Sequence, residues 1–294
     1  MSAALPPRRH ALIDLLPSLT AAVSFSITDI LLKYVYGDGM DVLSLVTLRG
    51  LLVVAFFGIW LRVQRPRIRH NPRQRRIALL LGLLFGAVML GLMFSIWLLP
   101  VSIAILAYFI YPLLTGIGAA FTGVEKLGWR ALLTALAAFG GLALMLGVDL
   151  GALSLLGLAC AFGAALCRVV SLLATRHYLA GTDARLTTWY SLIPSGTAFV
   201  LISLVFGTWH LPHSYVGWLA FIGVSFFSTL STLLIYVSTN TVGPFRTALA
   251  MNLEPLLTAV LSVILLGEIM TPPQILGAAI MISALCMFQF VRGR

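Results

Sequence analysis

The chain has 294 residues, of which 60% are hydrophobic and only 10% charged, and its mean hydropathy is +1.04. That leaves too little polar material to coat a soluble globule and points to a polytopic membrane protein. The formal net charge of +10 suggests nucleic acid only until the basic residues are placed: they sit between hydrophobic segments, not among exposed aromatics, so topology accounts for them and no nucleic-acid partner is expected.

Apolar runs of about 20 residues recur along the chain, each long enough to cross a hydrocarbon core of roughly 30 Å as a helix. Their length and their lack of alternating polarity predict α-helices, not a barrel. In chain order the predicted spans are 11–33, 42–61, 77–97, 102–121 and 129–147, then 152–174, 186–206, 215–237, 244–266 and 273–291. The first span runs on to Lys33 without a small-residue cleavage site, so it reads as a retained span and not a signal peptide. Cys160, Cys167 and Cys286 lie inside apolar runs with no disulfide or zinc spacing, and His210 and His213 are two donors with no further ligand set. No metal and no cofactor are expected.

Arginine sets the orientation. Arg8 and Arg9 precede the first span; Arg62, Arg65, Arg67, Arg69, Arg73, Arg75 and Arg76 fill the connection between the second and third; Lys126, Arg130, Arg176, Arg185, Arg292 and Arg294 follow later spans. These are fifteen of the 19 basic residues, and in a ten-span arrangement all fall on one side, which predicts both termini in the cytoplasm. Asp38, Asp41, Asp149, His210, His213 and Glu268 fall on the other side, with Lys33 as the basic residue near that face. The long basic connection also suits contact with anionic lipid.

One stretch is written twice. Tyr111-Pro112-Leu113-Leu114-Thr115, with Glu125 ten residues on, returns 143 positions later as Glu254-Pro255-Leu256-Leu257-Thr258, with Glu268 ten residues on. The same shift matches Leu106 with Leu249, Ala107 with Ala250, Ala135 with Ala278 and Leu142 with Leu285. The expected architecture is therefore an all-α membrane protein of ten transmembrane helices in two five-helix repeats, residues 1–150 and 151–294. Five is odd, so the second repeat enters the membrane from the opposite side. Inverted repeats are a construction of secondary transporters, with the substrate site near the midplane between the halves.

Ten spans in two halves, a Tyr-Pro-Leu or Glu-Pro-Leu stretch in the fourth helix of each half, and Val124-Glu125 or Gly267-Glu268 after it resemble the EamA-type transporters of the drug/metabolite transporter superfamily. Within that family, length, Arg-rich termini and aromatic content resemble the YddG-like aromatic amino acid exporters. The resemblance implies a multi-pass protein of the bacterial inner membrane that exports small molecules. The first half departs from the pattern, with Tyr111 where the second half has Glu254.

The residues themselves make a parallel case. Proline inside a helix leaves the carbonyl four residues earlier without its donor, so Pro112 frees the carbonyl of Tyr108 and Pro255 that of Met251. In a membrane such carbonyls are tolerated where a neighbouring helix, a polar side chain or a wet cavity satisfies them. Helical spacing puts Ala104, Tyr108, Tyr111 and Thr115 on one face and Thr247, Met251, Glu254 and Thr258 on its repeat counterpart. Either these stripes line a central pathway, or the prolines kink the helices for packing and the stripes are bundle core. Glu254 lies about ten residues, or roughly 15 Å of rise, from each end of its span, so it must be paired, protonated or facing water. It would hold a substrate ammonium, carry a proton, or accept a buried structural hydrogen bond. Arg49 and Asp29 sit at similar depth near the outer face, with Lys33 one turn above Asp29, as a structural ion pair or as an external gate. Arg168 is placed to snorkel to the interface, with binding of a substrate carboxylate as the other reading. Phe94, Trp97, Tyr108 and Tyr111, with Trp189, Tyr190 and Tyr236 in the other half, suit a largely apolar cavity for amino acids or other flat amphipathic metabolites, while for Trp97 an interfacial belt is the competing account.

These features predict a secondary transporter that exports aromatic and other neutral amino acids and related metabolites by alternating access, as a monomer in the bilayer, with a dimer as the alternative. The competing substrate class is nucleotide sugars, phosphorylated sugars, nucleobases or drugs; phosphate-bearing substrates would need Arg49, Arg168 and Arg246 to converge. An intramembrane enzyme finds no His-Glu-x-x-His, no Gly-x-Ser-x-Gly and no acidic metal cluster, a nucleotide-driven pump finds no phosphate loop, and a scaffold leaves the duplication and twin prolines unexplained.

Overall fold

The computed structural model describes residues 10–66, 68–125, 128–147, 154–207 and 209–290, without the side chains of 10–12 and 288–290. Arg8, Arg9, Arg67, Lys126, Asp149, Arg292 and Arg294, on which part of the orientation reading rests, lie outside the described residues. Among the described residues all regular structure is helical: α1 His10–Gly37, α2 Val42–Val63, α3 Pro72–Leu98, α4 Val101–Tyr108, α5 Tyr111–Phe121, α6 Trp129–Leu146, α7 Leu155–Tyr178, α8 Ala184–Phe206, α9 Tyr215–Thr241, α10 Pro244–Met251, α11 Leu253–Leu266 and α12 Pro272–Phe290.

The helices start where short polar side chains can take up free backbone N–H groups. Asp41 accepts from Leu43 and Ser44 at 2.9 and 3.1 Å, Asn71 and Gln74 form a reciprocal capping box, and Ser154, Asp183 and Ser214 cap α7, α8 and α9. Among the described residues, nine spans are long and apolar enough to cross a membrane when α4 with α5, and α10 with α11, each count as one; α12 is a shorter apolar helix over its described part. The chain is a polytopic membrane protein.

The two proline-bearing spans are broken, not merely bent. Phe109 closes α4 before Tyr111-Pro112 opens α5, and Asn252, 143 positions after Phe109, closes α10 before Leu253 opens α11. Each proline thus sits in the first turn of a new helix, where its missing N–H costs nothing.

Packing respects the duplication. The first repeat's α1 lies on α9 as the second repeat's α7 lies on α3; α1 touches α11 as α7 touches α5; α6 packs on α12 and α2 on α8. The α6–α12 crossing is a close backbone approach. A Cβ at Gly277 would stand 2.5 Å from the carbonyl oxygen of Gly141 and from the backbone nitrogen of Met145, and one at Gly141 would meet Gly277 and Met281 in the same way. Only glycine lets these backbones touch, the small-residue packing that membrane helices use in place of a hydrophobic drive. The main core joins residues of both repeats, among them Ala22, Phe109, Tyr111, Leu142, Leu172, Leu249, Met251 and Met281.

Candidate functional site

The helix breaks frame a cavity of about 620 Å³ between α1, α3, α4 and α11. Its floor is Tyr108, Glu254 and Pro255; its walls are mostly apolar, including Leu92, Ile105, Met145 and Val263; its mouth carries Lys33, Glu268, Ile269 and Gln274. Lys33 donates to Glu268 at 2.5 Å, with both side chains about half exposed, at 50% and 53%. The cavity therefore opens at the end of the bundle that bears this pair. A largely apolar cleft with a few polar groups at its base is the usual form of a small-molecule site.

Two carboxylates stand at that base. Glu254 enters from the first turn of α11, and Asp29 enters from α1, close enough for the two charges to interact. Thr258, one turn beyond Glu254, donates a 2.8 Å hydrogen bond to Asp29 Oδ2 and fixes its direction. Ser26 ties α1 to the break itself, donating to the carbonyl oxygens of Ala22 at 2.7 Å and of Glu254 at 3.2 Å. The helix break places the backbone N–H groups of a new helix beside this acidic site, a favourable setting for negative charge. The second acid was hidden from the repeat comparison: position 111 is tyrosine, and the partner comes from another helix altogether.

Below the acids lies a layer of tyrosine. The rings of Tyr108 and Tyr111 are 5.2 Å apart, and Phe109 stacks edge-on and tilted against them. Arg168 packs on this layer, its guanidinium 6.0 Å from the centre of the Tyr111 ring, with Tyr236 beside it. It lines a cavity of about 10 Å³ with Ser171, Thr175, Thr232 and Tyr236, near the lower limit for a single water. Arg168 does not reach for the membrane surface as its position in the sequence suggested. It turns inward, and its Nε is buried with no hydrogen-bond partner among the described residues.

The remaining expected site residues lie elsewhere in this conformation. Thr115, Thr247 and Met251 are in the closed core: Thr115 bonds back to the Tyr111 carbonyl at 2.7 Å, Thr247 shares a 2.8 Å bond with Ser238, and Met251 is 1% exposed. The ion pair expected between Asp29 and Arg49 is not formed; Asp29 bonds to Thr258, Lys33 to Glu268, and Arg49 lies in a separate cavity with Phe25, Ser195 and Ser228. Phe94 and Trp97 are exposed on the outer surface of α3 and do not join the tyrosines. Trp189 bonds to the Val54 carbonyl at 3.1 Å, and Tyr190 meets His70 edge-on, so of the three expected second-half aromatics Tyr236 reaches the Arg168 cavity.

At the opposite end of the bundle, side chains bridge α10 and the segments beside it. Glu125 accepts a 3.2 Å hydrogen bond from the N–H of Phe245 at the start of α10. Gly243, at φ 100°, leaves the space for that carboxylate, which a Cβ would overlap. Arg176 donates to the carbonyl of Asn240 on the same side.

A model of the EamA-like transporter family matches residues 13–147 and again residues 155–289. The chain belongs to the EamA-like transporter family, within the drug/metabolite transporter superfamily. Among similar proteins, the threonine/homoserine exporter RhtA of Escherichia coli K12 is 29% identical over 263 residues, which are 88% of this chain and 84% of that protein. The threonine/homoserine exporter RhtA of Salmonella typhimurium LT2 is 30% identical over 264 residues with the same coverage. A solved crystal structure that shares 18% identity aligns over 96% of this chain and 99% of its own with a TM-score of 0.79, a likeness of fold.

Proposed function

We propose that the chain is a secondary exporter of neutral amino acids across the bacterial inner membrane, working by alternating access at the cavity between the helix breaks. The observation that carries this reading is the acid pair Asp29–Glu254 at the blind end of a largely apolar cavity: it offers counter-charge to a substrate ammonium, while the walls tolerate varied side chains. Small hydroxylated amino acids lead the list, because the similar proteins are exporters of threonine and homoserine. The cavity of about 620 Å³ also favours larger aromatic amino acids as a second group. Phosphate-bearing substrates have less support, since Arg49 and Arg168 line different cavities.

The repeats are read as inverted, residues 1–150 against 151–294, with both termini cytoplasmic. The family match to each half, the equivalent helix breaks and the exchanged packing partners support the duplication, and an odd number of spans per half supports the inversion. On that orientation the mouth at Lys33–Glu268 faces outward and Glu125 closes the cytoplasmic side.

Uptake of radiolabelled amino acids into liposomes holding the purified protein tests the substrate class. Saturable threonine uptake, inhibited by other neutral amino acids and not by nucleotide sugars, is expected. Uptake of nucleotide sugars or drugs without any amino acid would overturn the assignment.

A further inference from the structure

We infer that Arg168 receives the carboxylate of the substrate, so that the transporter selects α-amino acids by holding both charges of the zwitterion, one on each side of the Tyr108–Tyr111 layer. This inference rests on the amino acid reading above and adds the residue that would enforce it.

Arg168 sits deep in the bundle, yet among the described residues no carboxylate lies within ion-pair distance of it; the ion pairs present are Lys33–Glu268, Arg185–Asp183 and His210–Asp41. Its Nε is buried without a partner. A guanidinium always carries its charge and presents a planar fork that matches a carboxylate with two parallel hydrogen bonds. Its guanidinium meets the Tyr111 side chain, but burying it with no carboxylate opposite is costly, which calls for an anion in part of the transport cycle.

Position supplies the second argument. Glu254 and Arg168 make no direct bridge; Tyr108 lines the open cavity with Glu254, Tyr111 lies under Arg168, and the two rings, 5.2 Å apart, connect one to the other. An α-amino acid carries an ammonium and a carboxylate on one carbon, so it fits a gap bounded by an acid on one side and a guanidinium on the other. Both ends are engaged only when the two tyrosine rings move aside. Substrate binding from either side would then open the layer that separates the two compartments, and an amine without a carboxylate, or an acid without an ammonium, would engage only one side.

The test is competition against radiolabelled L-threonine in proteoliposomes at about pH 6, where L-threonine and L-threoninamide both carry the ammonium and differ in the charged carboxylate. In the wild-type chain the amide should compete at least about tenfold more weakly than threonine. In Arg168→Gln the apparent KM for threonine should rise about tenfold or more while the weak competition by the amide is unchanged, and Arg168→Lys should recover part of the loss. The wild-type comparison needs no variant, so poor folding of Arg168→Gln leaves the proposal open to refutation. Equal competition by amide and amino acid, or an unchanged threonine KM in folded Arg168→Gln, overturns the role of Arg168 while the amino acid assignment stands. Absence of uptake of any amino acid by the wild-type chain overturns the assignment itself.

Discussion

Glu125 accepts a hydrogen bond from the Phe245 N–H at the start of α10, whereas Glu268, 143 positions after Glu125, leaves the start of α4 alone and pairs with Lys33 at the mouth of the open cavity. The two halves of a duplicated chain thus hold their equivalent glutamates in different states, and the open cavity lies where the glutamate is off the helix start. In alternating access between inverted repeats, the halves exchange these states. Glu268 would then close on the N–H of Ser102, the counterpart of Phe245, while Glu125 is released towards Arg176.

This predicts that Glu125→Gln and Gly243→Ala, which weaken or displace the carboxylate at α10, favour opening on the Glu125 side. A cysteine at Thr175, which lines the Arg168 cavity, in a background with Cys160, Cys167 and Cys286 replaced, should react with a membrane-impermeant maleimide from that side about tenfold faster in these variants. Unchanged labelling in both would remove the glutamate from gating.

The acid pair makes a graded prediction. Glu254→Gln should lower threonine transport by about tenfold or more with folded protein in the membrane. Asp29→Asn should lower it as well. Thr258→Val, which removes the hydrogen bond to Asp29 Oδ2, should cost about 1–3 kcal/mol of whatever that bond orients, an intermediate loss in kcat/KM. Wild-type rates in Glu254→Gln across the pH range would exclude the pair from the mechanism.

At the α6–α12 crossing, Gly277→Val must push apart backbones that already touch, since the first added carbon would lie 2.5 Å from Gly141 and Met145 atoms. A loss of about 1–3 kcal/mol is expected, seen as a lower melting temperature in detergent, whereas Gly140→Ala, with open space around it, should melt like the wild type.

Outside the spans, Asp38 links the α1–α2 turn to the loop before α9. The Ser214 N–H donates to its Oδ2 at 2.8 Å, and that bond holds its carboxyl below the ordinary carboxylate pKa. A depressed carboxylate stabilises the folded state above its unfolded pKa of about 3.9 and loses that contribution as pH falls through the lower folded value. The protection factor of the Ser214 amide, its exchange relative to the unfolded chain at the same pH, should therefore hold at neutral pH and fall only below about pH 4, and Asp38→Asn should abolish that acid transition.

Much of this was legible in the sequence, because membrane helices announce themselves by length and apolarity and because proline states where a helix must stop donating. The breaks at Phe109 and Asn252 follow from Pro112 and Pro255. What was not legible is what long-range packing decides. Asp29 and Thr258 lie 229 residues apart, and no local pattern says that α1 lies on α11; depth alone suggested Arg49 as the partner of Asp29. Arg168 has the spacing of a residue able to reach the interface, and only the tyrosines packed against it turn the guanidinium inward. The stripes on helical spacing named Tyr108, Glu254 and Thr258 together with Thr115, Thr247 and Met251, but periodicity gives a face and not which part of that face meets a cavity.

The central claim is that the substrate ammonium is held at Asp29 and Glu254. The most direct measurement is counterflow of radiolabelled L-threonine in proteoliposomes preloaded with unlabelled threonine, or with N-acetyl-L-threonine, which keeps the side chain and carboxylate but has no ammonium. Threonine inside should drive accumulation of label and the N-acetyl compound should not. Equal counterflow from both would contradict the account.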